Sequence, residues 1–151
     1  MRMKLLSACI VVAVGGGYSL AAHSQVKPEV LVKQRQSAMT LQGKYFGPLV
    51  GMLKGSVPYD ANIVARNAGY LDVLDTMPWD GFAESTKGVK SAALPAIWAE
   101  PAKFKQAADQ LQTAVTALVA ASKSGNEGAV KSAIGDVGKA CGGCHDDFRS
   151  K

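Results

Sequence analysis

From Val130 to Phe148 the water-avoiding residues recur at Val130, Ile134, Val137, Cys141, Cys144 and Phe148, at intervals of four, three, four, three and four. That spacing keeps one stripe of an α-helix in register and makes it a packing seam, so the segment must lie against other helices. Both cysteines fall on the seam and are expected to be buried there.

Three earlier segments supply the neighbours. Pro28 to Lys54 carries Leu31, Ala38, Tyr45, Leu49 and Met52 at helical spacing, with Pro48 expected to bend the helix rather than end it. Gly55-Ser56-Val57-Pro58 breaks the chain, and Asp60 can cap a second helix whose apolar positions are Ile63, Ala68, Tyr70, Leu71, Leu74 and Met77. Residues 78–95, punctuated by glycine and proline, form a long connection that should cross one end of the molecule. A third helix is predicted from about Ala102 to Ser122, with Phe104, Ala108, Leu111, Val115 and Leu118 on one stripe, before the turn at Ser124-Gly125-Asn126. Sustained strand alternation and internal repeats are absent. The expectation is an all-α, antiparallel four-helix bundle with one long crossing connection.

The start of the chain belongs to a different argument. Met1-Arg2-Met3-Lys4 is basic, and Leu5 to Val14 is a mostly apolar run, too short to span a membrane, which takes about 20 residues. Residues 1–24 therefore read as a secretory signal peptide, with Ala22-His23-Ser24 placing small residues at the cleavage positions before Gln25. Leu6-Ser7-Ala8-Cys9 matches a lipid-attachment signature, yet most of the apolar run follows that cysteine instead of preceding it. Cleavage would leave residues 25–151 as a single domain and lower the formal charge from +5 to +3. The remaining lysines are scattered, without the dense basic run of a nucleic-acid binder. Cys9 and His23 would leave as well, so Cys141, Cys144 and His145 become the chain's last thiols and imidazole.

Four chemistries can use Cys141-Gly142-Gly143-Cys144-His145. A disulfide between cysteines less than one turn apart would staple very little. A thioredoxin-like pair belongs at the start of a helix in a strand-helix unit, whereas this one sits near a helix's end. Structural zinc takes four ligands, and this motif has three. The fourth chemistry is attachment of haem c: two thiols add across the porphyrin vinyl groups, and the adjacent histidine reaches the iron. One helical turn presents both sulfurs to one porphyrin edge, and this is the favoured assignment. The two interior glycines cost a helix roughly 2 kcal/mol against alanine, which tethering to a large apolar ring can offset. Gly135 and Gly138 either admit a close neighbour or simply weaken the helix.

The chain resembles the class II cytochromes c, and within them the cytochrome c′ family. The likeness runs through Lys27-Pro28-Glu29, Arg35-Gln36-Ser37-Ala38, Pro58-Tyr59-Asp60, Pro78-Trp79, Ile97-Trp98, Phe104, Val137-Gly138-Lys139-Ala140 and Arg149. The resemblance implies haem c held by Cys141 and Cys144, with His145 as the proximal iron ligand. It further implies that Arg35 neighbours a haem propionate, against the plain alternative of a solvated helix charge. Arg149 would lie beside His145, where it could instead complement the negative end of the helix. Met39, four residues after Arg35 and so on its helix face, is the candidate for the opposite side of the iron. In low-spin members a first-helix methionine binds iron; in cytochromes c′ the corresponding residue only fills space, and that second role is favoured. Met52 and Met77 read as core.

The function expected on this basis is the binding of nitric oxide, carbon monoxide and similar small diatomics at a five-coordinate haem in the periplasm, possible electron transfer to a partner protein included. The alternative is a six-coordinate electron carrier with Met39 on the iron. No acid-base group is apparent over the open face, so an enzyme is not expected. The resemblance also implies a homodimer paired through the first two helices.

Overall fold

The computed structural model describes residues 26–151. The expected signal peptide, residues 1–24, lies outside them. Four long helices form: α1 (Pro28–Leu53), α2 (Ala61–Leu74), α4 (Pro101–Ser122) and α5 (Glu127–Phe148); α3 (Ala96–Ala99) is a single turn before α4. Each start has a local cause. Pro28 and Pro101 occupy first-turn positions, where the missing N–H costs nothing. The Asp60 carboxylate accepts from the N–H groups of Asn62 and Ile63 at 2.8 and 3.1 Å, as its sequence position predicts. Asn126 caps α5 in the same way, accepting from Ala129 N–H at 3.0 Å. Pro48 lies on the exposed side of α1, which continues through it to Leu53.

The helices pack in a ring, α1 against α2, α2 against α4, α4 against α5 and α5 against α1. Leu49, Val64, Leu118 and Ile134, one from each, are fully buried at its centre. Burial of such side chains stabilises by about 1.5–3 kcal/mol apiece. This is the expected four-helix bundle, and Met52 is core as predicted. Met77 is not: it is 54% exposed, because α2 stops at Leu74 and the helical phase cannot be carried past it. Tyr70 is exposed too, set beside Tyr45 with ring centroids 4.7 Å apart at the rim of the α1/α2 pair.

The crossing connection has more order than its glycines and prolines suggest. Two 3-10 turns, Trp79–Phe82 and Glu84–Thr86, lie against α1. Further on, Ala92 to Leu94 pairs with the end of α5: Leu94 N–H donates to the Phe148 carbonyl at 2.9 Å and Ser150 N–H to the Ala92 carbonyl at 2.8 Å. Connection and C-terminal segment are thereby tied across one end of the bundle.

Candidate functional site

At that tied end the helices part around a cavity of about 710 Å³. All six residues singled out by sequence line it: Arg35 and Met39 from α1, Cys141, Cys144 and His145 from α5, and Arg149 just beyond. Most of the remaining wall is apolar and includes Phe46, Leu111, Val115 and Val137.

The α5 seam changes character on reaching the cavity. Val130 and Ile134 are sealed against helices and Val137 is buried at the cavity's edge, whereas Cys141 and Cys144 are only half-buried, because what faces them is the cavity. Full burial of the two thiols is thus a corrected expectation. Burial pushes the Cys141 thiol above its ordinary pKa, opposed weakly by its own backbone hydrogen bond. Burial does the same to Cys144, reinforced by Cys141 and Asp147. Both stand in the last two turns of α5, near the negative end of its dipole. A dithiol redox centre needs a thiolate stabilised at a helix start, and these neutral thiols are the opposite case. At Gly142 and Gly143 an added Cβ would meet no protein atom within 4 Å, and at Gly138 only Phe46 in ordinary contact at 3.7 Å. Helix packing therefore does not demand glycine at any of these positions.

His145 is held below its ordinary pKa, first by burial and then by the charge of Arg149, with Asp146 opposing. Its imidazole is accordingly neutral at neutral pH, with a lone pair to offer. Arg149 N–H bonds to the His145 carbonyl at 3.2 Å, which fixes the arginine one turn after the histidine.

Arg35 is not a solvated helix charge: it is 3% exposed. Its guanidinium donates to the Gly81 carbonyl, to Thr86 Oγ1 at 3.2 Å and to Ser91 Oγ at 2.9 Å, and lies 4.4 Å from the Phe82 ring centre. Glycine is required at Gly81, since a Cβ there would sit 2.5 Å from that of Arg35 and 2.8 Å from the Leu31 carbonyl oxygen. Every one of these partners is uncharged, so a buried positive charge remains uncompensated at the cavity wall, a place suited to a carboxylate.

Sequence reasoning missed one group. Asp75 caps the C-terminal end of α2, is 3% exposed and lines the same cavity. Its backbone carbonyl accepts from Trp79 Nε1 at 2.6 Å, and one residue earlier the Leu74 carbonyl accepts from Gln42 Nε2 at 2.9 Å. Burial, then repulsion from Asp72, pushes the carboxyl from 3.8 up to about 6. The sequence reading named no acid near the open face, and this carboxyl on the cavity wall is an addition to it, its sequence signal being only a carboxylate directly after Val73-Leu74.

Asp75 also makes stability depend on pH. Between pH 3.8 and about 6 the folded chain retains a proton that the unfolded chain has released, so stability falls as pH rises through that window. Asp75→Asn should stabilise the fold above pH 6, by on the order of 2 kcal/mol, and the gain should vanish by pH 3.8. Thermal unfolding at the two ends of the window measures the difference; a gain of equal size at both would show that ionisation is not the cause.

A haem c fits these residues. Two neutral thiols one turn apart and an adjacent neutral imidazole share one wall, apolar side chains make up most of the rest, and an unpaired guanidinium stands ready for an acid group. The volume is that of a cofactor pocket.

Known proteins agree with the geometry. Residues 30–149 match the family model described as Cytochrome C'. Cytochrome c′ of Rubrivivax gelatinosus is 41% identical over 126 residues, spanning 83% of this chain and 98% of that protein. Its crystal structure superposes with a TM-score of 0.79 at 40% identity, covering 82% of this chain and 98% of that one. Two variants of cytochrome c prime from Alcaligenes xylosoxidans, one a nitric oxide complex and one carbon monoxide-bound, each give a TM-score of 0.77 at 40% identity over 83% of this chain and 98% of theirs. A four-helix bundle with a Cys-x-x-Cys-His motif on its last helix, matched over nearly the whole length of these relatives, places this chain in the cytochrome c′ family, whose cofactor is covalently bound haem c.

Proposed function

We propose that the chain is exported to the periplasm through residues 1–24 and there binds nitric oxide and carbon monoxide at a haem c with one open iron face. The observation that carries this reading is the cavity itself, with thiols and imidazole on the α5 wall and a mostly apolar lining elsewhere. Bound there, the haem supplies a Lewis-acidic, redox-active iron. Cys141 and Cys144 hold it by two thioethers. His145 donates its neutral lone pair, and Arg149, one turn on, disfavours an imidazolate and so keeps that donation weak. Arg35 receives a propionate in place of bulk counter-ions. The apolar lining admits small uncharged diatomics and charges a desolvation cost to anions. Support for the gas-binding role comes from the relatives solved with nitric oxide and carbon monoxide; handling of nitric oxide is the role we assign on that basis.

The second reading rests on Met39, which is half-buried on the cavity wall and could close the iron's second face, making an electron carrier. Absorption spectra of the reduced holoprotein separate the two. A broad high-spin band that carbon monoxide alters, unchanged in Met39→Leu, is the expected result. Sharp low-spin bands that Met39→Leu abolishes would overturn it.

Among the described residues no helix is long and apolar enough to cross a membrane. Leu41 and Leu53 on α1, with Tyr70, Val73 and Met77 on or just after α2, leave apolar surface exposed. That exposure supports a homodimer through these two helices, and the molecular mass in solution tests it.

A further inference from the structure

Asp75 has no part in the chemistry described so far. The residue is 3% exposed and lines the cavity, no hydrogen bond or ion pair among the described residues engages its carboxyl, and since no fully buried side-chain oxygen there lacks a partner, the carboxyl oxygens open onto the cavity space. A carboxyl on a cavity wall that no protein group engages is available to whatever enters the cavity. Its position is fixed from two sides. Trp79 holds the Asp75 backbone carbonyl, and Gln42, three residues after Met39 on α1, holds that of Leu74. Asp75 is thus tied to the α1 wall that carries Met39 and is supplied by a different helix from the one bearing His145.

The charged and titratable groups around it are few. Asp72 on its own helix repels its charge. The same lining holds Arg35 from α1 and Cys141, Cys144, His145 and Arg149 from α5 and its end, none of the charged ones paired with Asp75, while α4 and the crossing connection contribute no titratable side chain to it. Arg35 is engaged by the Gly81 carbonyl, Thr86 and Ser91. A cofactor filling the cavity would strip away water and bring negative propionates, and both changes favour the neutral acid.

We propose that Asp75 is the proton-linked hydrogen-bond donor of the ligand pocket: as the neutral acid it donates to the outer atom of a diatomic held in the cavity, and on ionising it withdraws that donor. This rests on the gas-binding reading above and adds to it a polar selectivity element, favouring ligands whose outer atom carries partial negative charge.

The infrared stretch of carbon monoxide bound to the reduced holoprotein tests it, recorded while pH is moved across and above the value near 6 at which the carboxyl titrates. A donor at the outer atom lowers the frequency. The expected result is a shift from a lower to a higher frequency as pH rises. Asp75→Asn, which retains a donor, should stay near the low-frequency form at every pH, and Asp75→Leu should stay at the high one. A native frequency that does not change with pH, or a shift that persists in Asp75→Leu, overturns the proposal. Failure to take up carbon monoxide, seen in the visible spectrum, overturns the gas-binding reading itself and this inference with it.

Discussion

Made in cells that attach haem, the Cys141→Ser, Cys144→Ser double variant is expected to lose all acid-extraction-resistant haem, and each single variant to keep one sulfur-carbon link with a less uniform product. The effect is large because the attachment residues also complete the interior. The cavity of about 710 Å³ lies beside Val137, Leu111 and Phe148, and the side of α5 that carries Cys141 and Cys144 faces it, while Phe148 packs on Phe104 of α4. Without the bound group that side of the helix loses its packing partner, so thermal unfolding should occur at a lower temperature as well. Mass spectrometry under denaturing conditions reads the attachment directly. A double variant that still carried one porphyrin mass would refute thioether linkage through these two sulfurs.

The second large effect is expected at Arg35. Arg35→Ala removes the charged donor to the Gly81 carbonyl, Thr86 Oγ1 and Ser91 Oγ, leaving the Gly81 carbonyl with the Thr86 hydroxyl at 3.2 Å and Ser91 Oγ with the Ala93 N–H at 3.3 Å. Losing the bonds to a charged donor, with only longer neutral bonds left to its partners, costs about 2 kcal/mol, or roughly 7 °C in Tm. Arg35→Lys should rescue little, because one ammonium cannot span partners engaged by both terminal nitrogens of a guanidinium. Thermal unfolding of the two variants checks this. If Arg35→Lys matched the native protein, simple charge would be sufficient and the forked geometry irrelevant.

What could be read from the sequence was what depends on near neighbours. The Asp60 cap acts within three residues, the α5 seam within nineteen, and the Cys-x-x-Cys-His motif within five, so each is written locally. The partners of Arg35 stand 46, 51 and 56 residues away, on a connection whose path no periodicity encodes. Its burial therefore emerged only with the fold. Asp75 escaped for the same reason: nothing near it in sequence says that the chain will turn there and present a carboxyl to a cavity. Met77 erred in the opposite sense, since a local period was extended three residues past the point at which α2 ends.

The pairing of Ala92–Leu94 with Phe148–Ser150 bears on the order in which the molecule assembles. Ser150 Oγ and the Ala92 carbonyl meet across 58 positions of chain, so this knot forgoes far more freedom when it ties than does the short link between α4 and α5. It is expected to tie late and loosen early, after the hairpin of α4 and α5 has zipped. The mouth of the bundle would then still be ajar when the thiols have already been carried to it, which is the moment at which a large flat guest could be seated without melting a single helix.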